Sequence, residues 1–191
     1  AKQHYIQRDD KLYLRVTLSF FMVGLATFAL LYFVQPILPL LSDDFSVSPA
    51  QASLSLSLAT GFMAVGLLIT GPLSDAVGRK NVMVISLTCA AIFTLLSAFT
   101  TSWAGILVVR SLVGLSLSGV AAVAMTYLSE EIHPSYVALS MGLYISGNSI
   151  GGMSGRLITG VIADYASWRI AVLVLGTFSL FGAFLFWRLL P

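Results

Sequence analysis

Long apolar runs alternate with short polar breaks along almost the whole chain. The runs occupy about 16–41, 51–69, 81–99, 104–128, 136–162 and 168–187. Roughly 20 apolar residues cross the hydrocarbon core as a helix, so the pattern predicts six membrane-spanning helices. Pro36 and Pro39 interrupt the first run; a bundle tolerates such breaks because its neighbours satisfy the freed backbone groups. Ser48-Pro49-Ala50-Gln51 offers a helix start, with a capping serine and Pro at the first helical position. The stretch 71–80 reads as a tight charged turn between the second and third spans, because Gly71, Pro72 and Gly78 disfavour helix. Ser129 to Ser135, with Glu130 and Glu131, reads as a polar loop.

Composition agrees. Hydrophobic residues make up 58% of the 191 residues and charged residues 9%, against about 25% charged in soluble domains. Such a chain takes membrane lipid as its solvent. The expected fold class is an all-α membrane protein: residues 1–15 form a cytoplasmic segment and residues 16–191 one six-helix transmembrane domain. A net charge of +2 does not suggest a nucleic-acid partner. The lone Cys89, inside an apolar run, reads as a core residue. Lys2, Arg8, Lys11, Arg15, Arg79, Lys80 and Arg188 fall on one side of the predicted topology and Arg169 on the other. Cations collect on the cytoplasmic face, so both ends are expected there. The chain starts at Ala1 and ends just after an apolar run, so a longer native chain is expected.

Two cations lie inside spans: Arg110, six residues into the fourth from its outer end, and Arg156, a similar distance into the fifth. That depth is about 9 Å. A centred Arg costs at least ~2.5 kcal/mol, so both are expected to meet polar groups: an anionic or hydroxyl-rich substrate, a carboxylate from elsewhere, or backbone carbonyls and water. Snorkelling of the long side chain is the plainer alternative. If the two helices are antiparallel neighbours, the two arginines share one level. Tyr32 and Gln35, on one face of the first span, and Asn148 in the fifth are further cavity candidates, with hydrogen-bonded packing between helices as the bland alternative. Gly147, Gly151 and Gly155 form a stripe of small residues for close helix packing, with Gly142 and Gly160 on the same span.

The sequence Gly71-x-Leu73-Ser74-Asp75-x-x-Gly78-Arg79-Lys80 resembles the signature loop between the second and third helices of the major facilitator superfamily. It departs at Ala76, where the family usually has a basic residue. Arg110-x-x-Val113-Gly114 resembles a second family motif, with Val113 where Gln is common. Gly142, Gly151, Gly155 and Gly160 resemble the glycine-rich motif of the antiporter branch, with Arg156 in place of the usual Pro and Thr159 in place of a Gly. The resemblance implies one half of a major-facilitator fold, built from two three-helix repeats. It implies the N-terminal half of a twelve-helix transporter of the drug:proton antiporter or sugar-efflux kind, in a bacterial inner membrane. Gly71, Asp75, Gly78, Arg79 and Lys80 would then form a conformational latch, with Asp75 paired to Arg79 and capping a helix in the missing C-terminal half, and Glu130 as a third member. The implied partners are a small-molecule substrate and that missing half; an isolated half is expected to pair with a second copy.

No cofactor or metal is expected. No His-x-x-x-His and no in-span Ser–His pair is present, so an enzyme is not expected. The alternative from another class is a six-helix structural or assembly module without transport of its own.

Overall fold

The computed structural model describes residues 4–191; Lys2, counted above among the cytoplasmic cations, lies outside them. The described chain is helical almost throughout: α1 (Lys11–Tyr32), a 3-10 turn (Gln35–Ile37), α2 (Leu38–Phe45), α3 (Pro49–Val77), α4 (Arg79–Ser97), α5 (Trp103–Glu131), α6 (Val137–Tyr165) and α7 (Trp168–Leu189). Five stretches are long and apolar enough to cross a membrane: α1 with α2, α3, α4, α5 and α7. The 29-residue α6 is not among them; Asn148, Arg156 and its serines and glycines lower its hydropathy.

The breaks have local causes. Pro36 sits in the 3-10 turn and Pro39 in the first turn of α2, where a missing N–H costs nothing. Ser48 caps α3 in a full capping box: its Oγ accepts from the Gln51 amide at 3.1 Å, and Gln51 Oε1 accepts from the Ser48 amide at 3.0 Å. Ser102 and Ser167 cap α5 and α7 by the serine bond alone, each Oγ accepting from the amide three residues on.

The expected loop over 71–80 is corrected. α3 continues through Gly71 and Pro72 to Val77, and the whole turn is Gly78, with φ of 109°. Only glycine adopts that backbone at little cost. Glu130 and Glu131 likewise belong to the last turn of α5, not to a loop. A 29-residue helix spans about 44 Å, longer than the ~30 Å hydrocarbon core, so polar ends stand clear of it.

α1 packs along α6, α3 along α5, and α4 against both α5 and α7. One core cluster joins Val16, Phe20 and Leu30 of α1 to Met83, Leu87, Leu117 and Val120. A second, at the other end, joins Phe33, Ile37 and Leu41 to Ile106, Trp168 and Val172. There Trp103 packs on Phe45, with ring centroids 5.6 Å apart. The closest approaches use glycine. A Cβ on Gly151 would overlap the Leu25 backbone, on Gly147 the Phe21 carbonyl, and on Gly155 the Ala29 backbone; across the other pair, one on Gly114 would overlap the Ala59 carbonyl. Gly142, expected in the packing set, meets nothing within 4 Å, and Gly160 has only ordinary contact with Pro36.

Candidate functional site

The end of α1 is where the buried chemistry gathers. A helix leaves its last four carbonyls without intrahelical partners. At the end of α1 the Ala29 carbonyl accepts from the Phe33 amide. The next two accept from Arg110 of α5: Nη1 donates to the Leu30 carbonyl at 2.8 Å and Nη2 to the Leu31 carbonyl at 2.7 Å. Nε donates to the Ser55 carbonyl of α3 at 3.0 Å, and the Phe33 ring lies 5.2 Å from the guanidinium carbon. Arg110 is 2% exposed, with no carboxylate in reach among the described residues. Of the three kinds of partner weighed for it, the structure shows backbone carbonyls. Its positive charge also meets the negative end of the α1 dipole.

Arg156 meets the same end of α1 from α6. Its Nε donates to Gln35 Oε1 at 2.5 Å, and its guanidinium lies 4.7 Å from the Tyr32 ring centroid. Arg156 is exposed, and Tyr32 and Gln35 are half-buried. The two arginines thus share a level of α1, but each meets α1 rather than the other. Arg110 is closed in, whereas Arg156, Gln35 and Tyr32 form an open polar cluster. Asn148 stands about two turns of α6 away from Arg156. Its Oδ1 is buried without a hydrogen-bond partner and lies against Gly24 of α1.

The second constellation lies where α3, α4 and α5 end together. Arg79 Nη2 lies 2.7 Å from Asp75 Oδ1 and 2.9 Å from Glu130 Oε1, and Nε donates to Glu130 Oε2 at 3.2 Å. Nη1 donates to Ser74 Oγ at 2.5 Å, and Ser74 in turn donates to the Gly71 carbonyl at 2.7 Å. Gly78 makes this possible, because its backbone reverses the chain between Asp75 and Arg79. The Asp75 side chain remains 67% exposed. Lys80 turns away from the network, and its Nζ donates to the Leu190 carbonyl at 2.5 Å.

Sequence reasoning missed several partners. Ser74 holds Arg79, a contact that its place in the motif does not reveal. At the opposite end, Trp168 Nε1 donates to Asp44 at 2.5 Å, and Arg169 donates to the Ala98 and Thr100 carbonyls at 2.8 and 2.7 Å. Ile6 pairs with Ile132 in a short parallel bridge, which ties the N-terminal segment to the end of α5. Arg169, the lone cation on its predicted side, was the one available signal for the second of these contacts.

A bundle of long apolar helices with a charged network at one end is the architecture of a multi-pass membrane protein. The Major Facilitator Superfamily model matches residues 16–191, and the chain belongs to that family. It is 65% identical to the inner membrane transport protein YnfM of Escherichia coli K12 over 98% of this chain and 45% of that one. It is 42% identical to the uncharacterized MFS-type transporter YybF of Bacillus subtilis over 98% of this chain and 46% of the relative. A solved bacterial homologue of the human lysosomal transporter Spinster, inward-facing and unoccupied, superposes with a TM-score of 0.84 at 16% identity, covering 96% of this chain and 44% of that chain. The chain spans about half the length of the curated relatives it matches.

Proposed function

We propose that the chain is the N-terminal half of a secondary active transporter that works by alternating access and exports small molecules by proton-driven exchange. The second six-helix half of the same protein completes the substrate path. In this reading α1 with α2, α3, α4, α5, α6 and α7 are six spans in two three-helix repeats, with both ends cytoplasmic. The packing supports the repeat: α1 lies along α6 as α5 lies along α3, which is the pairing that exchanging the first three spans with the last three would generate.

The observation that carries the proposal is the open cluster of Tyr32, Gln35 and Arg156. Polar candidates in a purely structural module would be scattered; here three converge. The terminal nitrogens of Arg156 donate no hydrogen bond among the described residues, so they are free for an anionic or hydroxyl-bearing substrate, with the Tyr32 ring beneath. Arg110 acts differently, as a positioning residue that holds the α1 end carrying Tyr32 and Gln35. Arg stays protonated, so the proton carrier is a carboxylate in the other half or at an edge, where Asp75 and Glu130 lie.

The test is export by the full-length protein in proteoliposomes, with and without a proton gradient, against a panel of organic anions, sugars and cationic dyes. Arg156→Gln is expected to fold normally and lose export of the recognised substrate by at least about tenfold, the scale of one charge-assisted hydrogen bond. Native export by Arg156→Gln at equal expression overturns the cluster as the substrate site.

A further inference from the structure

α4 and α7 lie side by side, and a groove of about 310 Å³ runs between them, lined by Val84, Thr88, Leu180, Ala183, Phe184 and Trp187. It is on the outer surface of the bundle, where Phe184 and Trp187 are 53% and 49% exposed. Residues four apart stack on one helical face. Lys80, Val84 and Thr88 are such a line on α4, and Leu180, Phe184 and Arg188 are another on α7. Each line runs through the apolar groove and ends on a cation. The Lys80 hydrogen bond to the Leu190 carbonyl holds the two helix ends together at that point. Arg188 lies 5.9 Å from the Trp187 ring centroid.

The charges at this end are not balanced by acids. Among the described residues the ion pairs belong to Arg79, with Asp75 and Glu130. Lys80 uses one of three donors on the α7 end, and Arg188 is exposed. An apolar slot facing hydrocarbon, an interfacial tryptophan and two uncompensated cations at one mouth match one ligand chemistry. We propose that this groove binds an anionic phospholipid, with an acyl chain along Val84, Thr88, Leu180 and Phe184 and the headgroup phosphate between Lys80 and Arg188. Basic residues at the membrane surface attract anionic headgroups, and the groove adds a fixed place for one chain. The site is separate from the transport cluster and independent of it.

The test is native mass spectrometry of the full-length protein, titrated with dioleoyl phosphatidylglycerol or dioleoyl phosphatidylcholine. The native protein is expected to bind the anionic lipid more tightly. K80Q/R188Q is expected to weaken it by about fivefold per charge removed and leave phosphatidylcholine unchanged. K80R/R188K keeps the charges and is expected to retain native binding, which separates loss of charge from loss of fold. Thr88→Trp fills the groove and is expected to weaken both lipids. Equal affinity for the two lipids, or an anionic preference that survives K80Q/R188Q, overturns the proposal. So does displacement of the bound lipid by glycerol phosphate at lipid-like concentrations, because it would assign the affinity to a free phosphate.

Discussion

Arg110 shows why a charge can sit inside an apolar bundle without a carboxylate. Three backbone carbonyls from two helices accept its hydrogen bonds, and two of them belong to a helix end that has no amides left to offer. The arrangement satisfies both sides: the guanidinium is solvated and α1 is capped. Removing it leaves buried acceptors without donors, at about 1–3 kcal/mol for each group left unsatisfied. Arg110→Ala is therefore expected to lower the unfolding temperature in detergent, whereas Arg156→Ala, at an exposed position, leaves it near native. Arg110→Lys keeps the charge but cannot reach three carbonyls with one ammonium, and should fall between. Native thermal stability of Arg110→Ala would remove the capping account. The sequence exposed the cost of this residue but not its partners, because backbone carbonyls carry no sequence signature.

At the scale of elements, the two tight pairs, α1 with α6 and α3 with α5, are built from glycine meeting backbone. In lipid no hydrophobic force brings helices together, so close packing has to. Gly151 is a clear case, because its would-be Cβ falls on Leu25 main-chain atoms that cannot turn aside. Gly151→Val is expected to destabilise by about 1–3 kcal/mol or more, and Gly142→Val on the same helix to be near neutral, since nothing lies within 4 Å of that position. The pair is read by comparing unfolding temperatures or protease resistance of the two variants; equal effects would end the packing account. The stripe was legible at i, i+4 and i+8, and so was the order of the long helices; of the six expected spans, five are long and apolar enough to cross a membrane. Gly142 was misplaced because spacing within a motif does not reveal which helical face meets a neighbour. The stretch 71–80 was misread for a related reason. Gly71 and Pro72 weaken an isolated helix, but α3 is held by α5 along its length, and the unsatisfied backbone that proline leaves is tolerated within a bundle. Glu130 and Glu131 looked like loop residues because polarity marks the edge of the hydrocarbon, not the end of the helix.

For the whole molecule the question is what the Asp75–Arg79–Glu130 network would do in the proposed transporter, where the bundle meets a second half. Within this chain it joins α3, α4 and α5 at one end, yet Asp75 keeps most of its side chain open. α3 and α6 present broad apolar faces along their length, with Phe62, Val65 and Leu68 on one and, toward the Arg156 end, Met153 and Leu157 on the other. These faces are where we place the other half, and Asp75 then sits at the edge of that contact. An exposed ion pair contributes about 0.2–1 kcal/mol, and a carboxylate at a facing helix N-terminus about 0.3–1 kcal/mol. Sums of that size bias one state without trapping it, as a contact broken in every cycle requires. Asp75→Asn is expected to change turnover by roughly two- to fivefold while substrate affinity stays near native, because the cluster at Arg156 is at the other end of the spans. Glu130→Gln should act in the same direction, and the double variant should change turnover by less than the product of the two, because both act through Arg79. High salt should shrink the native advantage, since partly exposed charges are screened. Transport measured in the single and double variants at two ionic strengths decides it: multiplicative effects would show that the three residues do not act as one latch, and a fall in affinity with constant turnover would move Asp75 from the latch to the substrate path.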